Sequence, residues 1–183
     1  MSVQPWNNWF HCTASTYGTW LRGDPRGWRS QNHREHVEGD YKNPPPSGTF
    51  DAIHARSQRL MKRDPMHLHR AMQSVALAAI IEKLLEKEIP IAAAALDDHH
   101  LHVVMQCVDR NPRHWIGLAK KNSAWALKDA ELVPPGGVWA KRGLCKPITD
   151  QSHFHRAINY VKDHAKRGAW IWTPADSLVA PTR

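Results

Sequence analysis

Cysteine is scarce in this chain and follows no pattern. Cys12, Cys107 and Cys145 are spread over 183 positions, odd in number and in no Cys-x-x-Cys spacing. That argues against both a disulfide framework and a zinc ribbon. Long hydrophobic runs are missing too, since the most apolar stretches, 75–81 and 89–96, are too short and interrupted to cross a bilayer. Met1-Ser2-Val3-Gln4-Pro5-Trp6 has neither the basic segment nor the apolar core of a secretory leader. A cytoplasmic protein with no membrane partner is the expectation. Acidic residues are the minority, with 17 Asp and Glu against 25 Lys and Arg, a formal net charge of +8.

That excess is local. Arg110 to Trp170 holds 12 basic and 4 acidic residues, whereas Val75 to Asp109 holds 2 basic and 6 acidic. A basic half suits a polyanionic partner, because Lys and Arg neutralise phosphates and release their counterions. A solvated basic face fits the composition equally well. Nine tryptophans lean toward nucleic acid, since exposed rings stack on unpaired bases. The length suits a single domain over 1–183 with a real core.

Aromatic and β-forming residues from Trp9 to Tyr17 predict a first strand. Gly18 to Gly48 reads as a long irregular insertion, with Arg22-Gly23-Asp24-Pro25-Arg26-Gly27-Trp28, His33 with His36, and Pro44-Pro45-Pro46. Its mix of Arg, His and Trp points to function rather than filler. Asp51 to Arg63 suits a helix. Asp64-Pro65 ends it and opens the next, whose apolar positions Leu68, Met72, Val75, Ala76, Ala79, Ile80 and Leu84 step by three and four to about Glu88. A buried strand is expected over Pro90–Leu96, a turn at Asp97-Asp98, and a strong strand over Leu101–Val108. A helix from Pro112 to about Leu132, a strand or hairpin over Val138–Ile148, and a helix over 151–167 complete the chain. In that last helix Phe154, Ile158, Val161 and Ala165 form the expected buried stripe, and Gly168 ends it. The order predicts an α+β fold. Its core is a ferredoxin-like βαββαβ unit with an antiparallel sheet, followed by one more helix.

Three His-x-His pairs occur, at 67/69, 100/102 and 153/155. On a helix, residues two apart point to nearly opposite sides; on a strand they share a face. His67/His69 is expected in a helix, and His153/His155 in or just before one. Only His100-Leu101-His102 opens a strand, so both imidazoles project together while Leu101 turns to the core. Neutral imidazoles are common ligands for Zn, Mn and Fe. A third ligand is required, and the last helix offers Tyr160 and His164, four apart on one face with His153 and Arg167, away from the apolar stripe. With 13 histidines, one His-x-His by chance is ordinary, so weight rests on the combination.

That combination resembles the HUH single-tyrosine transposases, the small insertion-sequence enzymes and their REP-associated relatives. The likeness lies in Asp98-His99-His100-Leu101-His102-Val103-Val104-Met105, in Ala157-Ile158-Asn159-Tyr160-Val161-Lys162-Asp163-His164, and in Trp139-Ala140-Lys141-Arg142-Gly143-Leu144-Cys145 ahead of the tyrosine helix. It spans about 89–168 plus the first strand; 18–48 has no counterpart. The resemblance implies Tyr160 as nucleophile, His100, His102 and His164 as metal ligands, and a 5′-phosphotyrosine intermediate on single-stranded or hairpin DNA. Mg²⁺ or Mn²⁺ is the implied cofactor. His164, where the family often has an amide or carboxylate, shifts preference toward Mn²⁺ or Zn²⁺. Lys120, Lys121, Lys141, Arg142 and Lys146 are the expected DNA contacts. The short 149–152 connection permits Tyr160 to serve its own metal or that of a second copy in a homodimer.

Three alternatives compete. A histidine phosphoesterase of another kind needs a third His at position 104, where Val104 stands, or a pair of His-x-Thr/Ser motifs, and no such pair is found. A domesticated, non-catalytic DNA-binding module would keep the fold without needing Tyr160. An RNA-binding ferredoxin-like domain lacks its aromatic strand motif here.

Overall fold

The computed structural model describes residues 6–24, 28–29, 36–37, 46–134 and 137–175. Strand β1 (Trp9–Thr16) is followed by a short ribbon of β2 (Trp28–Arg29) and β3 (His36–Val37). Then come α1 (Asp51–Arg59), α2 (Arg70–Glu86), β4 (Ile91–Leu96), β5 (His100–Gln106), α3 (Pro112–Asp129), β6 (Trp139–Pro147) and α4 (Gln151–Asp163). A 3-10 turn (His164–Arg167) and β7 (Trp170–Trp172) close the described chain.

The main sheet runs β6-β1-β5-β4-β7 and is antiparallel throughout. Its first four strands form the expected βαββαβ arrangement, with β1 and β5 central. β7 was not anticipated. Three residues are too few to carry a period, and Trp170-Ile171-Trp172 becomes a strand by pairing with Leu96, Ala95 and Ala94. Gly168 makes this possible, because its φ of 83° is the left-handed conformation that ends the helical turn.

Strand alternation divides the interior in two. Phe10, Cys12, Ala14, Ala94, Leu96, Leu101, Val103 and Met105 face α2 and α3 in the larger core. Helix α2 lies against both the sheet and α3, so it buries Met72, Ala76, Leu77, Ile80, Ile81 and Leu84 around much of its circumference. On the other face Ala93, Ala95 and Val104 pack beneath α4 against Ala157 and Val161. The alanines of β4 leave room for α4 to sit close to the sheet.

Two sequence expectations are corrected here. Helix α1 stops at Arg59, and Asp64-Pro65 does not open α2, which begins at Arg70. The link between them is extended because Met66 N–H donates to the Tyr17 carbonyl (2.8 Å) and Leu68 N–H to the Asp98 carbonyl (2.6 Å). His67 and His69 therefore precede the helix rather than lie in it. In α4, Ala157 and Val161 are the fully buried positions, while Phe154 and Ile158 flank them and the turn beyond buries His164. The Tyr160/His164 edge is thus turned toward the sheet, not away from the apolar stripe.

The start of the expected insertion packs on α1. Ser57 Oγ donates to the Arg22 carbonyl, and a Cβ on Gly23 would come within 2.5 Å of His54 N. Most of 18–48, including His33 and the start of the proline run, lies outside the described residues.

Candidate functional site

Strands β1 and β5 meet with Thr13 opposite His102 and Ser15 opposite His100. Alternation sends His100 and His102 to the α4 face, while Leu101 is wholly buried in the opposite core. Helix α4 crosses this face. Asp150 caps its start, the carboxylate accepting the His153 N–H at 2.7 Å. One turn from the helix end, Tyr160 is 48% exposed, which leaves its phenol accessible. His164 is buried, and its Nδ1 donates to the Tyr160 carbonyl at 2.8 Å.

Four rings converge. The His102 centroid lies 4.3 Å from His164, 5.5 Å from Tyr160 and 5.4 Å from His11. Tyr160 is 4.8 Å from His164 and 5.8 Å from His11. His11 Nε2 lies 3.2 Å from His102 Nδ1. Of the expected ligands, His102 and His164 come together beside Tyr160. His100 shares their face, but its ring is 6.2 Å from His102 and leans on His99 (4.0 Å) and the Trp20 indole (5.2 Å).

His11 was not anticipated. Two signals were available: His11-Cys12-Thr13 is a His-x-Thr, and strand parity puts His11 on the face of Thr13, the residue opposite His102. Burial, followed by the nearby His164, His153 and Lys146, lowers the His11 pKa from 6.5 to about 4. Burial, then His164, His11, His100 and Arg167, lowers His102 to about 2. Both imidazoles are therefore neutral at physiological pH, the form that can donate a lone pair.

A cleft of about 400 Å³ opens over three of these rings. His11, His102 and Tyr160 form its floor, and Lys146, His153 and Arg156 its basic walls. Lys146 stands opposite His11 on edge strand β6, and Lys141 is exposed on the same strand. Arg142 also belongs to β6; its side chain lies outside the described residues. Lys121 is exposed on α3 with its ammonium 4.8 Å from the Trp125 ring. Lys120 differs. It is buried, its ammonium donates to the Ala140 carbonyl at 2.7 Å, and burial lowers its pKa. That places it inside the α3–β6 packing instead of on a DNA-facing surface.

Among the described residues, two groups bring three metal-capable atoms within 4.8 Å: His67, Asp98 and His99, and Asp97, His99 and His100. No helix of these residues is long and apolar enough to cross a membrane.

No family model matches the chain, and no curated protein does. Among solved structures it is similar to a REP-associated tyrosine transposase bound to a REP hairpin, with a TM-score of 0.51 at 12% identity. The match covers 92% of this chain and 73% of that one. The chain shares that transposase's fold.

Proposed function

We propose that the chain cuts and rejoins single-stranded DNA, with hairpin DNA its natural form of substrate and Tyr160 as the nucleophile. The convergence of an accessible tyrosine with three histidines beside a basic cleft carries this reading. The transposase of the same fold, solved with a hairpin bound, supports the substrate class.

The donor types suit a divalent ion, although His100, His102 and His164 are not among the groups of described residues whose three ligand atoms lie within 4.8 Å of one another. His164 uses Nδ1 on a backbone carbonyl, which leaves Nε2 free. His102 directs Nδ1 at His11 Nε2; with the proton on that Nδ1, its own Nε2 is free as well. His102 and His164 would hold the ion, and His100 would join them by turning away from His99 and Trp20. Mn²⁺ or Mg²⁺, with Zn²⁺ also suited to imidazoles, would polarise a phosphate oxygen there. His11 serves to orient His102.

The remaining work falls to the chain. Lys146 and Arg156 hold the phosphate in the cleft, and Lys121, Lys141 and Arg142 add contacts to the DNA backbone outside it. Lys120 is excluded from this role by its burial. As the phenolic oxygen attacks, its proton leaves to solvent. The Tyr160 oxygen forms a bond to phosphorus while the bond to the 3′-oxygen breaks, and that oxygen takes up a proton. Attack by another 3′-hydroxyl reverses these events and rejoins a strand without external energy.

The test is capture. Single-stranded oligonucleotides incubated with the protein and Mn²⁺ should yield a covalent adduct on a denaturing gel, and Tyr160→Phe should abolish it while leaving binding intact. Binding with no adduct from the wild type under any divalent ion would leave a DNA-binding module of the same fold.

A further inference from the structure

Away from the cleft, the turn between β4 and β5 presents a second set of donors. Asp98 stands between two imidazoles, its Oδ2 3.0 Å from His67 Nδ1 and its Oδ1 2.5 Å from His99 Nδ1. The His67 and His99 rings are 5.9 Å apart, and none of the three residues lines the cleft. They come from two chain segments, since His67 belongs to the extended link before α2 and Asp98 and His99 to the turn. Backbone already joins these segments, Leu68 N–H donating to the Asp98 carbonyl at 2.6 Å.

The geometry points to a divalent-cation site here, formed by His67, Asp98 and His99, that takes a borderline ion of the Zn²⁺ class and clamps the link to the turn. Two ligands about 2.0 to 2.2 Å from one ion at tetrahedral or octahedral angles lie roughly 3 Å apart, the His67–Asp98 separation. Two imidazoles and one carboxylate select Zn²⁺, Ni²⁺ or Cu²⁺ over Mg²⁺ and Ca²⁺, which demand oxygen donors. On binding, each histidine presents its Nδ1 lone pair and carries its proton on Nε2. Water completes the coordination, because His67 and Asp98 are exposed.

The neighbouring trio Asp97, His99 and His100 is the weaker candidate. Asp97 Oδ1 already accepts the backbone N–H groups of His99 and His100, which shapes the turn, and it stands 3.7 Å from His99 Nδ1. Asp98 has no such duty within the turn.

A site that joins two segments binds the folded chain and not the unfolded one, so occupancy raises the melting temperature. The experiment titrates Zn²⁺ into the full chain by calorimetry and follows thermal unfolding with and without the ion. Wild type should show a Zn²⁺ site that millimolar Mg²⁺ does not displace, with a higher Tm. With the cleft disabled by His102→Ala, both should be lost or strongly weakened on adding His67→Ala or Asp98→Asn. Loss of a direct ligand should exceed the roughly 10- to 100-fold effect of removing an outer partner. His67 and Asp98 are exposed, so these variants are expected to fold. His102→Ala should leave this site intact, which separates it from the cleft whatever the cleft does. Equal Zn²⁺ affinity and Tm shift with and without His67→Ala in the His102→Ala background would overturn the assignment, as would the absence of any Zn²⁺ site in wild type.

Discussion

Lowering the pH from 7 to 5 should draw on the two desolvated imidazoles beneath α4. His11 falls from 6.5 to about 4 and His102 to about 2 on folding. Below pH 6.5 the unfolded chain takes up a proton at each residue, while the folded chain stays neutral until pH reaches its own depressed value. The unfolded state then binds more protons, so stability falls as pH falls. At pH 5, 1.5 units below the unfolded value, each imidazole contributes a loss of about 2 kcal/mol. The His11 share is complete near pH 4, at about 3 kcal/mol, whereas the His102 share continues to grow below that. Against a usual total of about 5–15 kcal/mol, a combined loss of about 4 kcal/mol is large. The assay is urea unfolding at pH 7, 6 and 5 in the presence of a chelator, comparing wild type with His11→Gln and His102→Gln. Each variant lacks one titrating ring, so its stability should depend less steeply on pH, by about one proton between pH 6 and 5. Identical pH slopes in wild type and both variants would refute the reasoning, whatever the absolute stabilities.

Three other outcomes follow from the site and the surface. His164→Ala should sharply reduce adduct formation with partial recovery at raised Mn²⁺, and His164→Gln should retain some Mg²⁺-dependent cleavage; wild-type metal titrations in both would remove His164 from the ligand set. Lys121→Ala, Lys141→Ala and Lys146→Ala should each weaken single-stranded DNA binding and flatten the dependence of log K on log salt by about one unit. Lys120→Ala should instead leave that slope unchanged and lower stability, read by chemical denaturation, because it removes the donor to the Ala140 carbonyl.

Much of the site was legible where geometry is local. A strand period of two sufficed to put His100 and His102 on one face and Leu101 on the other, and helical spacing put Tyr160 and His164 on one edge. The alternation of apolar segments with breakers likewise specified the βαββαβ order. These features depend on backbone geometry over a few residues, which sequence carries directly.

Other features depended on which strangers in sequence become neighbours. His11 joins His102 across 91 positions because β1 pairs with β5, and no spacing rule encodes that register. β7 exists only as a partner of β4. The Met66–His69 segment had helix-like spacing, yet hydrogen bonds to Tyr17 and Asp98 held it extended and brought His67 to the turn. Lys120 looked like any surface lysine until α3 packed on β6 and Ala140 offered its carbonyl. Local periodicity determined which side chains share a face. Only the tertiary structure decided what each face would meet, because long-range pairing sets burial, register and the partners of every polar group.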